Sequence, residues 1–303
     1  MSSLVVLNPE ASTARRSLHR VRAALADSAL LRDMEVVPST GWDEGRAAAA
    51  EAARGGFDLV VAAGGDGTVN SVLNGLMETE PPRPVLAVLP LGTGNDLARS
   101  LGIPGDLEGA MEELERRIVR KMDVIQVTLE GVRYGANVCA GGFSGRAEED
   151  LDDQTKESWG PLSYLRAALA HLPELASYEV TLAAEDETVE LSVLNLVVAN
   201  ARYAAAGVPV APGARLDDGK LDVVAVSSAP LSRVGMVVAR MAAGRHLEHE
   251  LVTFLRTPSL RVESTPEMAW NVDGELVGKG PARFEVLPGA VRVLVGGDRQ
   301  GAI

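Results

Sequence analysis

The sequence predicts an α/β fold in two parts, a doubly wound parallel sheet followed by an antiparallel β-sandwich. In residues 1–120, short apolar runs alternate with segments of helical periodicity. This alternation is typical of right-handed crossover connections and of a parallel sheet with both faces buried. From about residue 121, short runs of period two between turn residues dominate, which is typical of antiparallel strands.

Each element of the first part has a local signal. Apolar runs bounded by proline or glycine predict strands at LVVLNP (4–9), MEVVP (34–38), FDLVVAA (57–63) and VLAVLP (85–90). Helical spacing or a high alanine content predicts helices over 14–31 and 43–54, from about Thr68 to Met77, and from near Asn95. We expect these elements to form one domain over residues 1–120.

The second part is predicted to consist mainly of strands, in runs such as DVIQVTL (123–129), TVELSVLNLVVAN (188–200) and ARFEVLPGAVRVLV (282–295). Two helices are predicted near 161–175 and 231–243, the first with a leucine stripe at Leu162, Leu165, Leu169 and Leu172. The acidic stretch 148–158 is predicted to be a solvated loop, with a mobile lid as the alternative. We expect the second domain to cover residues 121–291, and residues 292–303 are a candidate for packing back on the first.

Composition excludes several classes of protein. The chain has 303 residues and a net charge of −13, from 29 Lys+Arg against 42 Asp+Glu. It shows no basic face, so we expect no nucleic-acid partner. Its single cysteine, Cys139, excludes an internal disulfide and is expected to be inert core. No signal peptide is recognisable, and no apolar run approaches the ~20 residues of a membrane span. We therefore expect a cytoplasmic protein that reaches any membrane only from its surface.

A glycine-rich turn follows the third predicted strand. The sequence GGDGTVN covers residues 64–70 and leads directly into a helical pattern. Glycines at such a junction let a ligand approach the backbone, and the free N–H groups of the helix start attract an anion. The turn is therefore a candidate phosphate site, with a plain tight turn as the alternative. A P-loop is excluded because no lysine precedes Lys121, and the Rossmann glycine fingerprint and protein-kinase signatures are absent.

A second glycine-rich turn follows the fourth predicted strand, in LPLGTGNDLARSLGIP (89–104). In a parallel sheet both turns would lie at the carboxyl ends of strands, where such sheets bind ligands. The alternative for Asn95 and Asp96 is that one of them simply caps the helix that follows.

Four motifs in a fixed order carry a family resemblance: GGDGTVN, LPLGTGNDLARSLGIP, DDGKLDV (217–223) and VDGEL (272–276). Together they resemble the bacterial lipid kinases of the diacylglycerol kinase catalytic-domain family, relatives of sphingosine and ceramide kinases. The first motif alone is shared with NAD kinases and phosphofructokinases. The resemblance implies a Rossmann-like ATP-binding domain, a β-rich lipid-substrate domain and an active site in the cleft between them.

The resemblance also implies an activity and partners. ATP would be the co-substrate, Mg²⁺ the cofactor and a lipid hydroxyl the acceptor, with diacylglycerol giving phosphatidic acid as the default. The enzyme would associate transiently with the inner face of the membrane, and a homo-oligomer is open. Two alternatives stay open: a kinase of a soluble substrate of the NAD kinase type, and a non-catalytic lipid- or nucleotide-binding module.

Residue roles follow from the resemblance alone. The nucleotide contacts would be Thr40, Gly64, Gly65, Asp66, Gly67, Thr68, Val69, Asn70 and Thr93. Glu275 would be the general base, and Asp66, Asp96 and Asp123 the acidic network that organises Mg²⁺ and water. A structural Mg²⁺ would be bound by the Asp218 carboxylate and the carbonyls of Arg215 and Lys220. The alternative for both Glu275 and the DDGK segment is a simple hairpin.

Two segments depart from the family pattern. The loop NPEASTARR (8–16) lacks the usual glycine, and YAAAG (203–207) has alanines where the family is rich in glycine. Alanines there would narrow the space for backbone or ligand.

Overall fold

The computed structural model describes residues 2–31, 34–142 and 177–297. The chain divides into two compact units, Met1–Asp123 with Gly289–Ile303, and Val124–Pro288. The predicted acidic loop at 148–158 and the predicted helix at 161–175, with its leucine stripe, lie outside the described residues.

Strands and helices alternate in the first unit, as the sequence predicts. The elements are β1 (Ser3–Leu7), α1 (Ser12–Asp27), β2 (Met34–Pro38), α2 (Trp42–Arg54), β3 (Leu59–Gly64), α3 (Asp66–Met77), β4 (Val85–Pro90), α4 (Asp96–Ser100) and α5 (Leu107–Arg116). Strands pair in parallel in the order β4-β3-β1-β2. Strands β1, β3 and β4 are buried throughout, whereas β2 is partly exposed at the sheet edge.

The alanine-rich helix α2 packs closely on α3. A Cβ built on Gly75 of α3 would lie 2.1 Å from the carbonyl oxygen of Arg46, and Ala49 and Ala50 of α2 are buried. Small side chains on both helices therefore allow this close approach, which larger residues would prevent.

The second unit is antiparallel. Its elements, some of which begin or end in the first unit, are β5 (Val119–Thr128), β6 (Val132–Gly135), β7 (Val138–Gly142), β8 (Tyr178–Ala184), β9 (Thr188–Ala199), β10 (Leu221–Ser227), α6 (Leu231–Ala242), β11 (Val252–Thr257), β12 (Ser259–Thr265), β13 (Ala269–Val272), β14 (Glu275–Lys279) and β15 (Ala282–Leu294). The long strand β9 pairs with β8, with β7 and with β10, which in turn pairs with β11.

The core of this unit is built from inward-facing side chains of several strands. Trp270 and Phe284 are fully buried and meet edge to face, with ring centroids 4.9 Å apart. The Nε1–H of Trp270 donates to the carbonyl of Gly280 at 2.9 Å, so the indole leaves no unpaired donor in the core. The predicted fold class, a parallel α/β part and an antiparallel β-sandwich, is confirmed.

Candidate active site

The two glycine-rich turns touch each other in the first unit. Residue Gly64 of β3 pairs with Pro90 of β4, so the turns that follow leave the same edge of the sheet. A Cβ built on Gly92 would lie 2.4 Å from the Cα of Gly65, which is closer than real Cβ atoms approach. Only glycine fits at this contact, because any side chain would push the two turns apart.

Asp66 and Asp96 join the turns by a hydrogen bond. The main-chain N–H of Asp96, the first residue of α4, donates to Oδ1 of Asp66 at 2.8 Å. The Asp66 carboxylate therefore accepts a hydrogen bond from the first N–H group of α4. The first N–H groups of a helix have no partner inside that helix, so they need an acceptor from elsewhere.

Asn95 does not cap α4 through its side chain, contrary to that alternative. Its backbone is left-handed, with φ of 54°, and its side chain makes no capping hydrogen bond. Instead, its Oδ1 accepts from the N–H of Gly92 at 3.1 Å and its Nδ2 donates to the carbonyl of Gly92 at 2.7 Å. Asn95 therefore closes the Gly-Thr-Gly turn on itself.

The Asp66 carboxyl is electrostatically unusual. Burial raises its pKa above the ordinary value, and this effect outweighs the opposing hydrogen bonds from the N–H groups of Asp96, Asn95 and Leu97. A carboxylate that is both desolvated and surrounded by N–H groups is typical of a functional site, although structural networks also produce it.

The remaining residues of GGDGTVN differ in what they can contact. Gly65, Asp66 and Gly67 are half-buried. The side chains of Thr68, Val69 and Asn70 are buried in α3. Oδ1 of Asn70 accepts from Nε1 of Trp42 at 3.0 Å, and a Cβ on Gly64 would collide with Thr68. The motif thus combines packing residues with a more accessible stretch at its glycine-aspartate-glycine centre.

Two predicted threonines lie on exposed loops of the same unit. Thr93 is exposed in the second glycine turn, and Thr40 is exposed after β2. The N–H of Thr40 donates to Oε2 of Glu44 at 2.9 Å. Because β2 and β4 belong to one parallel sheet, both threonines follow strands at the same sheet edge as the glycine turns.

Asp123 is buried on β5, and its Oδ1 accepts from the N–H of Gly289 at 2.7 Å. Among the described residues, no three acidic, histidine or cysteine side chains gather closely enough to hold a metal ion. The structure thus brings Asp66 together with Asp96, and it shows no such close trio with Asp123.

In the second unit, Glu275 follows a tight turn of Asp273 and Gly274. Both turn residues have positive φ, 50° and 100°, as a two-residue hairpin of this kind requires. Val272 of β13 pairs with Glu275, the first residue of β14, whose side chain is exposed. The hairpin alternative for this motif is thus correct as geometry, and it leaves the carboxylate accessible.

Asp273 is a residue that the sequence did not single out. Its carboxylate is buried and accepts from the N–H groups of Ala136, Asn137 and Val138 at 2.6, 2.9 and 2.9 Å. It therefore fixes the Glu275 hairpin to the segment before β7. The Asp-Gly pair in the sequence signals the turn, but no local pattern reveals these amides more than 130 residues away.

The predicted metal loop at 215–220 holds an ion pair. Nη2 of Arg256 contacts Oδ2 of Asp218, and the N–H of Lys220 donates to Oδ1 of Asp218 at 3.0 Å. The side chain of Arg215 pairs with Asp217 at 3.1 Å. Both oxygens of the Asp218 carboxylate thus have protein donors.

Comparison with known proteins agrees with this architecture. Residues 2–127 match the family described as the diacylglycerol kinase catalytic domain, and residues 137–295 match the YegS C-terminal NAD kinase beta sandwich-like domain. A diacylglycerol kinase of Staphylococcus epidermidis is 33% identical over 228 residues, which is 75% of this chain and 71% of that protein. A diacylglycerol kinase of Staphylococcus saprophyticus is 31% identical over 83% of this chain and 82% of its own length.

Solved structures share the fold. A diacylglycerol kinase from Bacillus anthracis superposes with a TM-score of 0.77 at 23% identity, covering 98% of this chain and 97% of that one. An NAD kinase from Archaeoglobus fulgidus in complex with ATP is more distant, with a TM-score of 0.52 at 14% identity over 98% of this chain and 94% of its own. On the sequence matches and the motifs described above, the chain belongs to the diacylglycerol kinase family, whose members are kinases with an alcohol group as acceptor.

Proposed function

We propose that this protein transfers the γ-phosphate of ATP to the hydroxyl of diacylglycerol and so produces phosphatidic acid. The observation that carries the proposal is the contact of the two glycine-rich turns, tied by the Asp96-to-Asp66 hydrogen bond, in a chain of this family. Such an arrangement places main-chain N–H groups at the carboxyl edge of a parallel sheet, where phosphates bind.

The first unit would bind ATP. Within the segment from Gly64 to Asn70, the N–H groups at the start of α3 that have no intrahelical partner would face the phosphates, and Thr40 and Thr93 would contact the nucleotide from exposed positions at the same sheet edge. Phosphoryl transfer depends mainly on positioning and on neutralisation of charge. With no lysine before Lys121, amides would carry much of that neutralisation on the protein side.

Glu275 would act as the general base. Its exposed carboxylate would take the proton of the lipid hydroxyl while that oxygen attacks the γ-phosphorus. The bond from the γ-phosphorus to the bridging oxygen of ADP breaks, and ADP leaves with that electron pair. Asp273 would hold the hairpin in place through its three accepted N–H bonds.

Mg²⁺ would supply charge neutralisation on the phosphates, as it does in phosphoryl transfer generally. The described side chains do not form a three-ligand metal site on their own, so we assign no step to a protein-held ion. Asp66, Asp96 and Asp123 stay the proposed residues around the nucleotide's metal.

The lipid substrate implies transient contact with a membrane surface. No helix within the described ranges is long and apolar enough to cross a bilayer. Among the described residues of the second unit, large apolar side chains are exposed at Val132, Met236, Phe254 and Leu276. We propose that contact through some of these residues gives access to the acceptor.

The test is transfer of label from [γ-³²P]ATP to a panel of acceptors. Purified protein is assayed in mixed micelles with diacylglycerol, ceramide, sphingosine, phosphatidylglycerol and NAD. We expect labelled phosphatidic acid, with at least a 100-fold loss in Glu275→Gln and no loss in Glu190→Gln, an exposed glutamate on β9 of the same unit.

The NAD arm tests the second candidate, for which the shared fold with an ATP-bound NAD kinase is the specific observation. Labelled NADP without labelled lipid would favour that activity. Protection against melting by ATP with no turnover on any acceptor would instead favour a non-catalytic binding module.

A further inference from the structure

We propose that the guanidinium of Arg256 occupies the place of the structural cation in the turn at 215–220, so that this turn needs no divalent metal. This inference concerns the stability of the second unit and is separate from the proposed reaction. It starts from the disagreement between the family resemblance, which implies a bound ion at Asp218, and the side chains that surround that carboxylate.

Arg256 reaches two carboxylates at once. It lies on β11 directly opposite Asp222 of β10, and its Nε donates to Oδ1 of Asp222 at 2.7 Å. Its Nη2 contacts Oδ2 of Asp218 in the preceding turn. The planar fork of a guanidinium suits this bridge, because two separate N–H groups point toward two separate oxygens.

Each oxygen of the Asp218 carboxylate already accepts from one protein donor. Its Oδ1 accepts from the N–H of Lys220 at 3.0 Å, and Oδ2 is held by Arg256. A divalent ion would have to displace the guanidinium, since two cations on the same carboxylate oxygen repel each other strongly at such short range.

Charge counting argues against a second cation beside Arg256. Asp218, Asp222 and Arg256 together carry a formal charge of −1, and Arg215 neutralises Asp217 on the outer side of the turn. A divalent ion added to this cluster would reverse its charge to +1, whereas a divalent ion in place of the arginine would neutralise it. The cluster therefore accommodates one cation, and the guanidinium of Arg256 is that cation.

The partner of Asp222 must be permanent. Only 3% of that side chain is exposed, and a carboxylate so deeply buried is costly to leave unpaired. Burial raises the pKa of Asp222, and the charge of Arg256 opposes that shift. A covalently attached cation is present at every Mg²⁺ concentration, so the strand pair β10–β11 stays intact where an exchangeable ion would be lost.

The test is thermal unfolding of the nucleotide-free full chain in 1 mM EDTA and in 20 mM MgCl₂ or CaCl₂, with ionic strength matched by NaCl. For the wild type we expect equal melting temperatures, within about 1 °C, in all three buffers. For Arg256→Gln we expect a melting temperature lower by about 5 °C or more in EDTA, partly restored by either divalent ion. Arg256→Lys keeps the positive charge but lacks the planar guanidinium. Its melting temperature in EDTA should lie between those of the wild type and of Arg256→Gln.

Two controls locate the effect. Arg261→Gln removes an arginine from an exposed ion pair with Glu263 and should create no response to divalent ions. In the double variant Arg256→Gln/Asp218→Asn, the restoration by divalent ions should disappear, because the ligand has been removed.

The outcomes separate cleanly. A wild-type protein stabilised by Mg²⁺, with that stabilisation lost in Asp218→Asn, would overturn the proposal, because the metal would then bind beside Arg256. A folded Arg256→Gln variant that gains no response to divalent ions would overturn it as well. None of these measurements uses turnover, so they stand whether or not the kinase assignment holds.

Discussion

The main-chain N–H of Asp96 donates to the carboxylate of Asp66, thirty residues earlier in the chain, at 2.8 Å. This bond makes Asp66 serve two purposes. It accepts a hydrogen bond from the first N–H group of α4, and it keeps a carboxylate with a raised pKa at the junction of the two glycine-rich turns. Replacing this residue should therefore affect stability and proposed activity in opposite directions.

Asp66→Asn should stabilise the nucleotide-free protein and abolish kinase activity. The pKa of Asp66 is raised in the folded state, so this carboxyl favours folding most below its ordinary pKa, and this contribution is lost as the pH rises. A neutral asparagine avoids the cost of a desolvated charge and can still accept from Asp96. We expect a gain of about 1 kcal/mol near pH 7, or about 2–4 °C in melting temperature.

The matched control is Asp106→Asn, at the cap of α5, where the aspartate accepts from the N–H of Gly109 at 2.8 Å. Asparagine caps helices as well as aspartate does, so its melting temperature should not change. A lower melting temperature for Asp66→Asn would show that the negative charge of Asp66 stabilises the folded protein. The interpretation of Asp66 as a desolvated carboxylate that costs stability would then be wrong.

Gly92→Ala should destabilise the first unit because the new methyl group would meet the backbone of Gly65. The built Cβ lies 2.4 Å from the Gly65 Cα, and a backbone atom cannot move aside cheaply. We expect a loss of about 1–3 kcal/mol in urea unfolding, together with weaker ATP binding. At Gly105, a Cβ would meet nothing within 4 Å, so Gly105→Ala should stay within about 0.5 kcal/mol of wild type. Equal stability of the two variants would contradict the contact between the turns.

Asp273→Ala should destabilise the second unit severely. It leaves three N–H groups, those of Ala136, Asn137 and Val138, without their acceptor. We expect a loss of about 3–5 kcal/mol in urea unfolding, because each buried donor left unsatisfied is costly. Asp186→Ala, in the exposed turn between β8 and β9, is the control and should have little effect. A small effect at Asp273 would mean that water replaces the carboxylate.

The sequence predicts the strands of the first unit and both glycine turns because their signals are local. Continuous apolar runs give β1, β3 and β4, and the turns follow from glycine at strand ends. Cys139 is buried as predicted, and burial raises the pKa of its thiol, which makes it a poor nucleophile.

Features that depend on distant residues escape local patterns. Helix α5 is an exception, because it was missed although LEGAMEELER carries a local signal: Leu107, Ala110 and Leu114 recur at helical spacing, and Asp106 caps the first turn. Arg256 contacts Asp218, which lies 38 positions earlier in the chain, and no pattern near the DDGK motif predicts this contact. Side-chain partners of this kind become visible only when the strand register is known.

Ala205→Gly and Ala206→Gly should each stabilise the protein. Both alanines have positive φ, 49° and 62°, in the segment where the family usually has glycine. The left-handed conformation costs an alanine about 1–2 kcal/mol, and glycine gives back about 0.5–1 kcal/mol through the entropy of the unfolded chain. The expected net gain is about 0.5–1 kcal/mol in chemical unfolding.

Ala204→Gly is the control for this segment, because Ala204 is not among the residues with positive φ. The same substitution there should destabilise by about 0.5–1 kcal/mol, since only the entropic cost remains. If all three variants lost stability, the alanines would not be strained, and the departure from the family pattern would need another explanation.

His246 should make stability fall as the pH drops below about 6.5, the ordinary histidine pKa. The ring is fully buried, its Nε2 lies 2.9 Å from the carbonyl oxygen of Val210, and burial lowers its pKa. The unfolded chain therefore binds a proton in a range where the folded protein resists it, so stability is lost on acidification. His246→Gln should remove about 1 kcal/mol of the stability difference between pH 7.5 and 5.5, measured by urea unfolding.

His19→Gln, at an exposed position on α1, should leave that difference unchanged. The pKa of Asp66 is raised whereas that of His246 is lowered, so only the comparison between variants isolates the contribution of the histidine. An unchanged stability difference in His246→Gln would show that the buried ring does not cause the loss of stability at low pH.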